Sequence, residues 1–412
     1  MVGHAARLAE GEPGQAAPLT PEQARRLLSP AGRAAVAFAA TLDLAPAARI
    51  RAAEALRSEA GPELGPLALD QAVLKDRART KHPQGDRLWW TAEALEQASS
   101  YDVAVHRAKR YAGAERVLDL CCSVGGDLLA LAAVAPAVGV DLDEARLLLA
   151  RQNAVELGLS VGLVRADVTR WEPTGQVFAD PARRAGGRRV FDPRAYTPSL
   201  DRILGWLPRL TALGVKVAPG IDYDVLPGDV EVEVVSLRGD VKEAVLWAGT
   251  ARRGSRTTAT LLPAGATLTD DPVAPPVVRP PGRFLLEPDG AVVRAHLVAQ
   301  LAARVDGWLL DATIAYIAAD AAPPTPFGRW YEVLETLPFG LKALRERLRA
   351  HDAGPLVVKK RGTAVEPETL RRQLRLTGSR EVTVVLTRSA GRQIAMVVAP
   401  LVSPDAAGPA PS

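Results

Sequence analysis

The sequence predicts an α/β protein, and three observations lead to that fold class. Apolar side chains recur at helical spacing between residues 20 and 112, which predicts a helical N-terminal domain. From about residue 113, short apolar runs alternate with helical stretches, the βαβ pattern of a parallel sheet covered by helices on both faces. A smaller alternation of the same kind begins at Tyr331 and predicts a compact C-terminal α/β domain.

The chain is expected to divide into five segments. The stretch "LPAGATLTDDPVAPPVVRPPGR" is dense in Pro and Gly and predicts a linker or a surface excursion between the two α/β domains. The predicted segments are a helical domain at 1–112, an α/β domain at 113–260, a linker and helical connector at 261–328, an α/β domain at 329–401 and a disordered tail at 402–412.

Within the central domain, we predict strands at "RVLDL", "AVGVDL", "GLVRAD", "QVFAD", "GVKVAP", "EVEVVSL" and "EAVLWA", and helices at 126–134, 143–157 and 199–209. The turn "RGDVK" predicts that the last two strands form a hairpin at the edge of the sheet. After a helical segment near 291–305, the predicted order is a strand, the helix "GLKALRERLRAH", the strand "PLVVKK", the helix "EPETLRRQLRL" and the strands "EVTVVLT" and "QIAMVVA".

Composition excludes several classes of protein. The chain has 412 residues and a net charge of +4, and it has neither a signal-peptide pattern nor an uncharged apolar run of membrane-spanning length. Its two cysteines, Cys121 and Cys122, are adjacent and have neither disulfide nor zinc-ligand spacing. We therefore expect a cytoplasmic protein with no membrane association and no metal. Arginines and lysines crowd residues 183–194 and 359–380, which predicts either nucleic-acid contacts or solvated surfaces.

The stretch "VLDLCCSVGGD", residues 117–127, predicts a ligand-binding turn between a strand and a helix. Asp119 is followed at every second position by Cys121, Ser123 and Gly125, where a glycine-rich loop would have three glycines. An acidic strand end repels a diphosphate and attracts a cationic ligand. The pattern therefore favours S-adenosylmethionine over NAD.

Three further strands end in aspartate, at Asp141, Asp167 and Asp180. Because parallel strands share one carboxyl edge, these side chains and Asp119 are expected to lie together where open α/β sheets bind ligands. Asp141, 22 residues after Asp119, suits ribose hydroxyls, and Asp167 suits the adenine amino group. The alternative is that each aspartate only caps the helix that follows it. The predicted cofactor-binding residues are Asp119, Cys121, Ser123, Gly125, Asp141, Leu142, Asp167 and Val168.

Over roughly residues 75–400 the sequence resembles class I S-adenosylmethionine-dependent methyltransferases with a C-terminal THUMP-like domain. "CCSVGGD" and "VGVDLDEARLLLARQNAVELG" are similar to the cofactor segments of trimethylguanosine synthases and related RNA methyltransferases, which carry an Asn-Ala pair where Asn153 falls. "YEVLETLPFG" and "VVKKRGTAVEPETLRRQLRLTG" look like the THUMP-like domain. The resemblance implies a Rossmann-like catalytic domain. In its upstream segments, His106 lies either in the pocket or on the surface, and Trp89 and Trp90 either stack on a base or pack in the core.

The segment "ADPARRAGGRRVFDP" departs from the family pattern for amine methylation, in which Pro-Pro and an aromatic residue follow the polar residue. Asp180 and Pro181 are kept, and the resemblance implies that they position the acceptor. Ala182 replaces the second proline and Arg183 the aromatic residue, although a guanidinium can also stack on a base or bind phosphate. Methylation at C5 of a pyrimidine needs a thiolate, and both cysteines lie in the cofactor turn, so transfer to nitrogen or oxygen is expected.

These observations predict a methyltransferase acting on structured RNA, either rRNA or tRNA. The predicted acceptor-positioning residues are Asp180 and Pro181, and the predicted RNA-binding residues are Arg183, Lys359, Lys360 and Arg361. Two alternatives stay open: a methyltransferase for a protein or a small molecule, and a non-catalytic RNA-binding protein with a relic pocket.

Overall fold

The computed structural model of the protein describes residues 18–182, 184–185, 188–189 and 195–401. The chain forms two compact units, residues 1–182 and 183–412. Within the described residues, no helix combines the length and the apolar character that crossing a membrane requires.

The first unit begins with helices, as the sequence predicts. They are α1 (Pro21–Leu28), α2 (Pro30–Ala39), α3 (Arg49–Ala78), α4 (Ala92–Gln97) and α5 (Tyr101–Ala108). The Thr20 side chain caps α1 and the Ser29 side chain caps α2, each by accepting a backbone N–H of the first turn. Gly61 has a φ of 82° and breaks the regular geometry of α3. Leu27 and Leu56 belong to a core that also includes Trp89 and Trp90.

A parallel sheet follows in the same unit. Its elements are β1 (Val117–Leu120), α6 (Leu128–Ala132), β2 (Ala137–Asp141), α7 (Glu144–Glu156), β3 (Val161–Arg165) and β4 (Gly175–Ala179). The strand order is β3-β2-β1-β4, and every pair is parallel. The four predicted strands are therefore confirmed; their aspartates lie within two residues of the strand ends, and those carboxyl ends meet at one edge.

The second unit contains a mostly antiparallel sheet. Its first elements are β5 (Arg184–Ala185), β6 (Arg188–Arg189), α8 (Leu200–Gly205), β7 (Leu210–Val217), β8 (Glu231–Leu237), β9 (Asp240–Gly249), β10 (Thr257–Leu262) and β11 (Ala266–Thr269). β5 pairs with β6, and the other strands have the order β11-β10-β8-β9-β7. The predicted β8–β9 hairpin is confirmed, but its expected position at the edge of the sheet is wrong, because β10 and β11 lie outside it.

The sequence did not predict β10 because its threonines weaken the apolar pattern. Thr258 and Thr260 are buried, and their hydroxyls donate to the carboxylates of Glu231 and Glu233 on β8 at 3.2 and 2.6 Å. Trp247 also donates its indole N–H to Glu233 at 2.8 Å. Polar side chains that satisfy one another can fill a buried sheet face without hydrophobic periodicity.

The second unit ends in another sheet. Its elements are β12 (Phe284–Pro288), α9 (Gly290–Arg294), α10 (Val298–Arg304), β13 (Trp308–Leu309), β14 (Ile317–Ala319), β15 (Gly328–Pro338), α11 (Leu341–Ala350), β16 (Ala353–Lys360), α12 (Pro367–Leu374), β17 (Arg380–Ser389) and β18 (Arg392–Pro400). The strand order is β13-β14-β12-β15-β18-β17-β16. Segment 261–328 thus contributes strands to both sheets of this unit, where the sequence predicted a linker and helices.

Candidate active site

The turn after β1 has the backbone of a glycine-rich loop although two of its glycines are replaced. Cys121, Ser123 and Gly125 have φ angles of 64°, 51° and 94°, in the left-handed region that favours glycine. The N–H of Cys121 donates to the carbonyl of Val140 on β2 at 2.8 Å, which ties the turn to the sheet. The N–H of Leu129 donates to the Gly125 carbonyl at 3.0 Å, so α6 follows directly. The predicted turn is therefore present in its full geometry.

Asp141, at the end of β2, holds this turn in place. One carboxylate oxygen accepts the N–H of Ser123 at 2.8 Å, and the other accepts the N–H of Asp143 at 2.9 Å. The side chain that caps α7 is Asp143, and Asp127 occupies the N-cap position of α6. The alternative that Asp119 and Asp141 serve as helix caps is therefore excluded.

Asp119 is the most unusual group at the edge. Its side chain is 1% exposed, and neither carboxylate oxygen has a hydrogen-bond partner among the described residues. Burial raises the pKa of this carboxyl well above its usual range; the Asp127 and Asp180 carboxylates raise it further, while Arg107 opposes them. A buried carboxylate without donors is costly. The site is therefore suited to a cationic ligand.

The four aspartates all act electrostatically on the same turn. Burial raises the pKa of the Cys121 thiol, and the carboxylates of Asp141, Asp180, Asp119 and Asp167 each add to that rise. All four charges therefore act on one side chain of the turn. The structure thus brings together the carboxylates that the sequence assigns to a common site, while their individual roles stay predictions.

A buried ion pair that the sequence did not predict supports this edge. Arg107, which is 1% exposed, pairs with Asp127, and its guanidinium lies 5.4 Å from the ring centre of Phe178 on β4. The neighbouring His106 is buried as well, so its alternative position on the surface is wrong. The sequence did contain a signal for this ion pair. Arg107, in the segment "AVHRAKRY", precedes β1, and the turn after β1 ends at Asp127.

The residues that the sequence predicts to contact adenine differ in their exposure and hydrogen bonding. Asp167 accepts the backbone N–H and the hydroxyl of Thr169 at 2.9 and 2.6 Å, which orients its carboxylate. Val168 is buried, whereas the Leu142 side chain is 62% exposed. An exposed leucine beside Asp141 offers an apolar surface to a flat ring.

The acceptor segment follows β4. The N–H of Asp180 donates to the carbonyl of Leu120 at the end of β1 at 3.2 Å, and Pro181 is buried. This hydrogen bond places Asp180 beside the start of the cofactor turn. Arg183, which is predicted to contact RNA by stacking on a base or by binding phosphate, lies outside the described residues.

Asn153 of α7 fastens the turn to an upstream segment. Its side-chain amide accepts the N–H of Trp89 at 2.6 Å and donates to the carbonyls of Trp89 and Val124 at 3.0 and 2.9 Å. Trp89 and Trp90 lie in the core, so core packing is the correct alternative for both indoles. Asn153 was noticed only through the family resemblance, and its contacts give it a structural role.

The three predicted RNA-binding cations of the C-terminal domain already have protein partners. Lys359 forms an ion pair with Glu287 at 2.6 Å, and Lys360 forms one with Glu366 at 2.6 Å. Arg361 donates to the backbone carbonyl of Ala315 at 2.6 Å. Their contact with RNA stays a prediction, and two of the three charges are paired with carboxylates.

No group of three or more His, Cys, Asp or Glu side chains arranged for a metal ion occurs within the part of the chain that the structure describes. The predicted ligand at this edge is an organic cation.

Comparisons with known proteins place the chain among methyltransferases. A family model described as THUMP domain-like matches residues 328–400, and a Domain of unknown function (DUF8688) matches residues 20–78. An uncharacterized S-adenosylmethionine-dependent methyltransferase of Mycobacterium tuberculosis, found in strains CDC 1551 and H37Rv, is 42% identical over 352 residues, 82% of this chain and 97% of the relative. A crystal structure from Porphyromonas gingivalis W83, described as a methyltransferase, has a TM-score of 0.70 at 21% identity and covers 83% of this chain and 92% of that chain. The last likeness supports the fold alone.

Proposed function

Since this chain belongs to the S-adenosylmethionine-dependent methyltransferases, we propose that it methylates a nitrogen or an oxygen atom of a nucleotide in structured RNA, either rRNA or tRNA. The predicted methyltransferase fold, the THUMP-like domain and the cofactor are confirmed. The observation that carries the methyl-transfer part of the proposal is the buried Asp119 carboxylate at an edge with three more carboxylates.

The residues of the edge fit S-adenosylmethionine, which supplies an electrophilic methyl group when it is bound. Asp119 offers a buried negative charge to the positively charged part of the cofactor. Each oxygen of Asp141 accepts one backbone N–H and keeps the capacity to accept a ribose hydroxyl. In this proposal, Asp167 accepts from the adenine amino group, while Leu142 and Val168 contact the ring. Cys121, Ser123 and Gly125 shape the methionine side of the pocket.

Asp180 and Pro181 position the acceptor in this proposal. The Asp180 carboxylate and a backbone carbonyl of this segment accept hydrogen bonds from the amine or hydroxyl of the nucleotide, which aligns its lone pair with the methyl group. Alignment is the main contribution that the protein makes to a direct transfer, because little acid-base assistance is needed.

The two thiols favour direct transfer over covalent catalysis. Burial raises the pKa of both Cys121 and Cys122, and the surrounding carboxylates raise both further. A thiol with a raised pKa stays protonated at neutral pH and is a poor nucleophile. The chemistry that adds a thiolate to a pyrimidine ring therefore has no suitable group here.

The RNA part of the proposal rests on different support. The C-terminal THUMP-like domain is rich in arginine, and the cofactor segments resemble those of RNA methyltransferases. The residues that the sequence assigns to RNA, Arg183, Lys359, Lys360 and Arg361, belong to the same proposal. The cytoplasmic location and the five-segment division of the chain are also parts of the proposal.

Mass spectrometry of nucleosides from rRNA and tRNA of a strain that lacks the gene, compared with its parent, tests this proposal. We expect one methylated nucleoside to be missing. Purified protein with S-adenosylmethionine should restore it in RNA from the deletion strain. An unchanged set of nucleosides, together with methyl transfer to a protein or a small molecule, would contradict the RNA assignment.

A further inference from the structure

A cleft lined by arginines lies between helices α11 and α12 of the THUMP-like domain. Its volume is about 550 Å³. The lining residues are Leu341, Arg345, Arg349, Thr369, Arg372, Gln373 and Arg375. Four of the seven are arginines and none is acidic, so the cleft is strongly positive.

The amphipathic pattern of the two helices explains why the arginines face outward. α11 buries Leu344 and Leu348, and α12 buries Leu370 and Leu374, all in one hydrophobic cluster. Residues three or four positions apart share a helix face. Arg345 and Arg349 are four positions apart, and Arg372 and Arg375 are three apart. Arg345 and Arg349 therefore share one face of α11, while Arg372 lies on α12 and Arg375 is the C-cap residue of that helix, with a φ of 47°.

Two neighbouring arginines of the same helices are neutralised by carboxylates, whereas the cleft arginines are not. Arg347 pairs with Glu335, and Arg371 pairs with Glu368. Within the described part of the chain, no carboxylate forms an ion pair with a cleft arginine.

The hydrogen bonds of two cleft arginines orient them without neutralising them. Arg345 donates to the Gln373 carbonyl at 2.6 Å, and Arg372 donates to the Thr369 hydroxyl at 3.3 Å. Their charges remain available to an anion.

The clustering of four arginines in the cleft is not explained by a contribution to the stability of the fold. Arginines near the end of α12 interact favourably with the helix dipole, which stabilises by about 0.3–1 kcal/mol. Arg345 lies in the middle of α11, however, and two like charges four positions apart repel. Two more cations across the cleft add to the repulsion, which a bound polyanion would relieve.

We propose that this arginine cleft binds consecutive phosphates of the RNA backbone and holds the substrate on the THUMP-like domain. The inference rests on the proposed function, in which the substrate is RNA. Guanidinium groups bind phosphate oxygens in bidentate geometry, and two pairs of them suit neighbouring phosphates. Phosphate contacts position a nucleic acid and carry no sequence information, so the cleft anchors the RNA without selecting the nucleotide.

The test compares Arg349→Gln/Arg372→Gln with Arg329→Gln/Arg392→Gln, which removes two exposed arginines of the same domain outside the cleft. Binding of labelled total tRNA and of an rRNA hairpin of about 16 base pairs is measured by fluorescence anisotropy between about 50 and 200 mM KCl. We expect the cleft variant to bind roughly tenfold more weakly, with a log–log salt slope smaller by about 1.5, while the control variant resembles the wild type.

The outcomes separate this inference from the proposed function. One outcome is that the wild type binds RNA in a salt-dependent way while the two variants show equal affinities and equal salt slopes. That result would overturn the assignment of the cleft to RNA binding and leave the proposed function unchanged. Wild-type protein that binds neither RNA would overturn both. Calorimetric titration with S-adenosylmethionine should give the same affinity for wild type and cleft variant, and a loss there would contradict a role confined to RNA. Displacement of the RNA by inorganic phosphate beyond the effect of KCl at equal ionic strength would assign the cleft to free phosphate instead.

Discussion

The cofactor turn and the arginine cleft each bring together side chains of like charge, but they differ in how far solvent reaches those side chains. At the turn, four carboxylates raise the pKa of one thiol, and Asp119 is only 1% exposed. The cleft places four arginines around an open space, and three of them, Arg349, Arg372 and Arg375, are exposed. A charge in a poorly solvated site interacts several times more strongly with a ligand than the same charge at the surface does. The comparison indicates that ligand binding at the turn depends on single charged groups, whereas ligand binding in the cleft depends on the summed charge of several.

The largest expected effect concerns the acceptor segment beside the turn. Asp180→Ala should lower kcat by about 10²–10³-fold, because it removes the hydrogen-bond acceptor that aligns the nucleotide, and the reaction depends on that alignment. Cofactor affinity should stay within about threefold of wild type. Single-turnover methylation of RNA from the deletion strain, with calorimetry beside it, measures both quantities. Equal losses of turnover and of cofactor binding would place Asp180 in the cofactor pocket instead.

Asp119→Asn tests whether the buried charge faces a cation. The variant should bind S-adenosylmethionine roughly 10–100-fold more weakly, because it removes a charge in a poorly solvated site. Binding of S-adenosylhomocysteine, which lacks the sulfonium charge, should fall less. The two affinities are measured by calorimetry on the same protein preparations. Equal losses for both ligands would show that the Asp119 charge does not face the sulfonium.

The same substitution should also change the pH dependence of stability. Because burial raises the pKa of Asp119, the folded protein holds this proton more tightly than the unfolded chain does. Stability should therefore fall as the pH rises from about 4 through the raised pKa. An asparagine side chain does not titrate, so the cofactor-free Asp119→Asn variant should melt higher than wild type at neutral pH and similarly near pH 4. Thermal unfolding at the two pH values measures this difference, and a variant less stable at neutral pH would contradict it.

Lys359 pairs with a carboxylate, so a substitution there can be compared with the substitutions of the cleft arginines, which have no such partner among the described residues. Lys359→Met leaves the half-buried Glu287 without its cation, and we expect a loss of about 1–2 kcal/mol in the free energy of unfolding. RNA affinity should change less than in the cleft variant. Chemical denaturation and the anisotropy assay give the two values. A large loss of RNA affinity with unchanged stability would show that Lys359 serves RNA binding and not the stability of this domain.

The smallest effect concerns the missing glycines of the turn. Ser123 has a φ of 51°, and Ser123→Gly should stabilise the fold by about 0.5–1 kcal/mol while keeping the N–H that Asp141 accepts. Gly125→Ala, at a φ of 94°, should destabilise by about 1–2 kcal/mol. Urea unfolding of the two variants measures these changes, which should have opposite signs.

Much of the cofactor edge could be predicted from the sequence because its signals are local. Strand ends, turn residues and the spacing from Asp119 to Asp141 all lie within one stretch of chain, and parallel pairing then brings the carboxylates together. Arg107 was missed because its partner Asp127 lies across a turn and a strand, where sequence periodicity says nothing about pairing.

The arginine cleft and strand β10 were harder to predict for the same physical reason. The basic stretch 359–380 gave no sign of which cations pair with carboxylates such as Glu287, far away in sequence. Arg345 and Arg349 belong to α11, outside that stretch, and join Arg372 only when the two helices pack. In β10, buried threonines bind glutamates on β8, so hydrophobicity alone did not reveal the strand.

Calorimetric titration of S-adenosylmethionine into wild type, Asp141→Ala and Asp143→Ala tests the central assignment most directly. Asp141 should contribute charge-assisted hydrogen bonds of about 1.5–3 kcal/mol each, so its alanine variant should lose at least about 100-fold in affinity. The Asp143 side chain caps α7 and pairs with Arg146, so its alanine variant should lose about 1 kcal/mol of stability and keep its affinity. Wild-type affinity in Asp141→Ala, or an equal loss in both variants, would contradict a cofactor site built on the aspartates of this sheet edge.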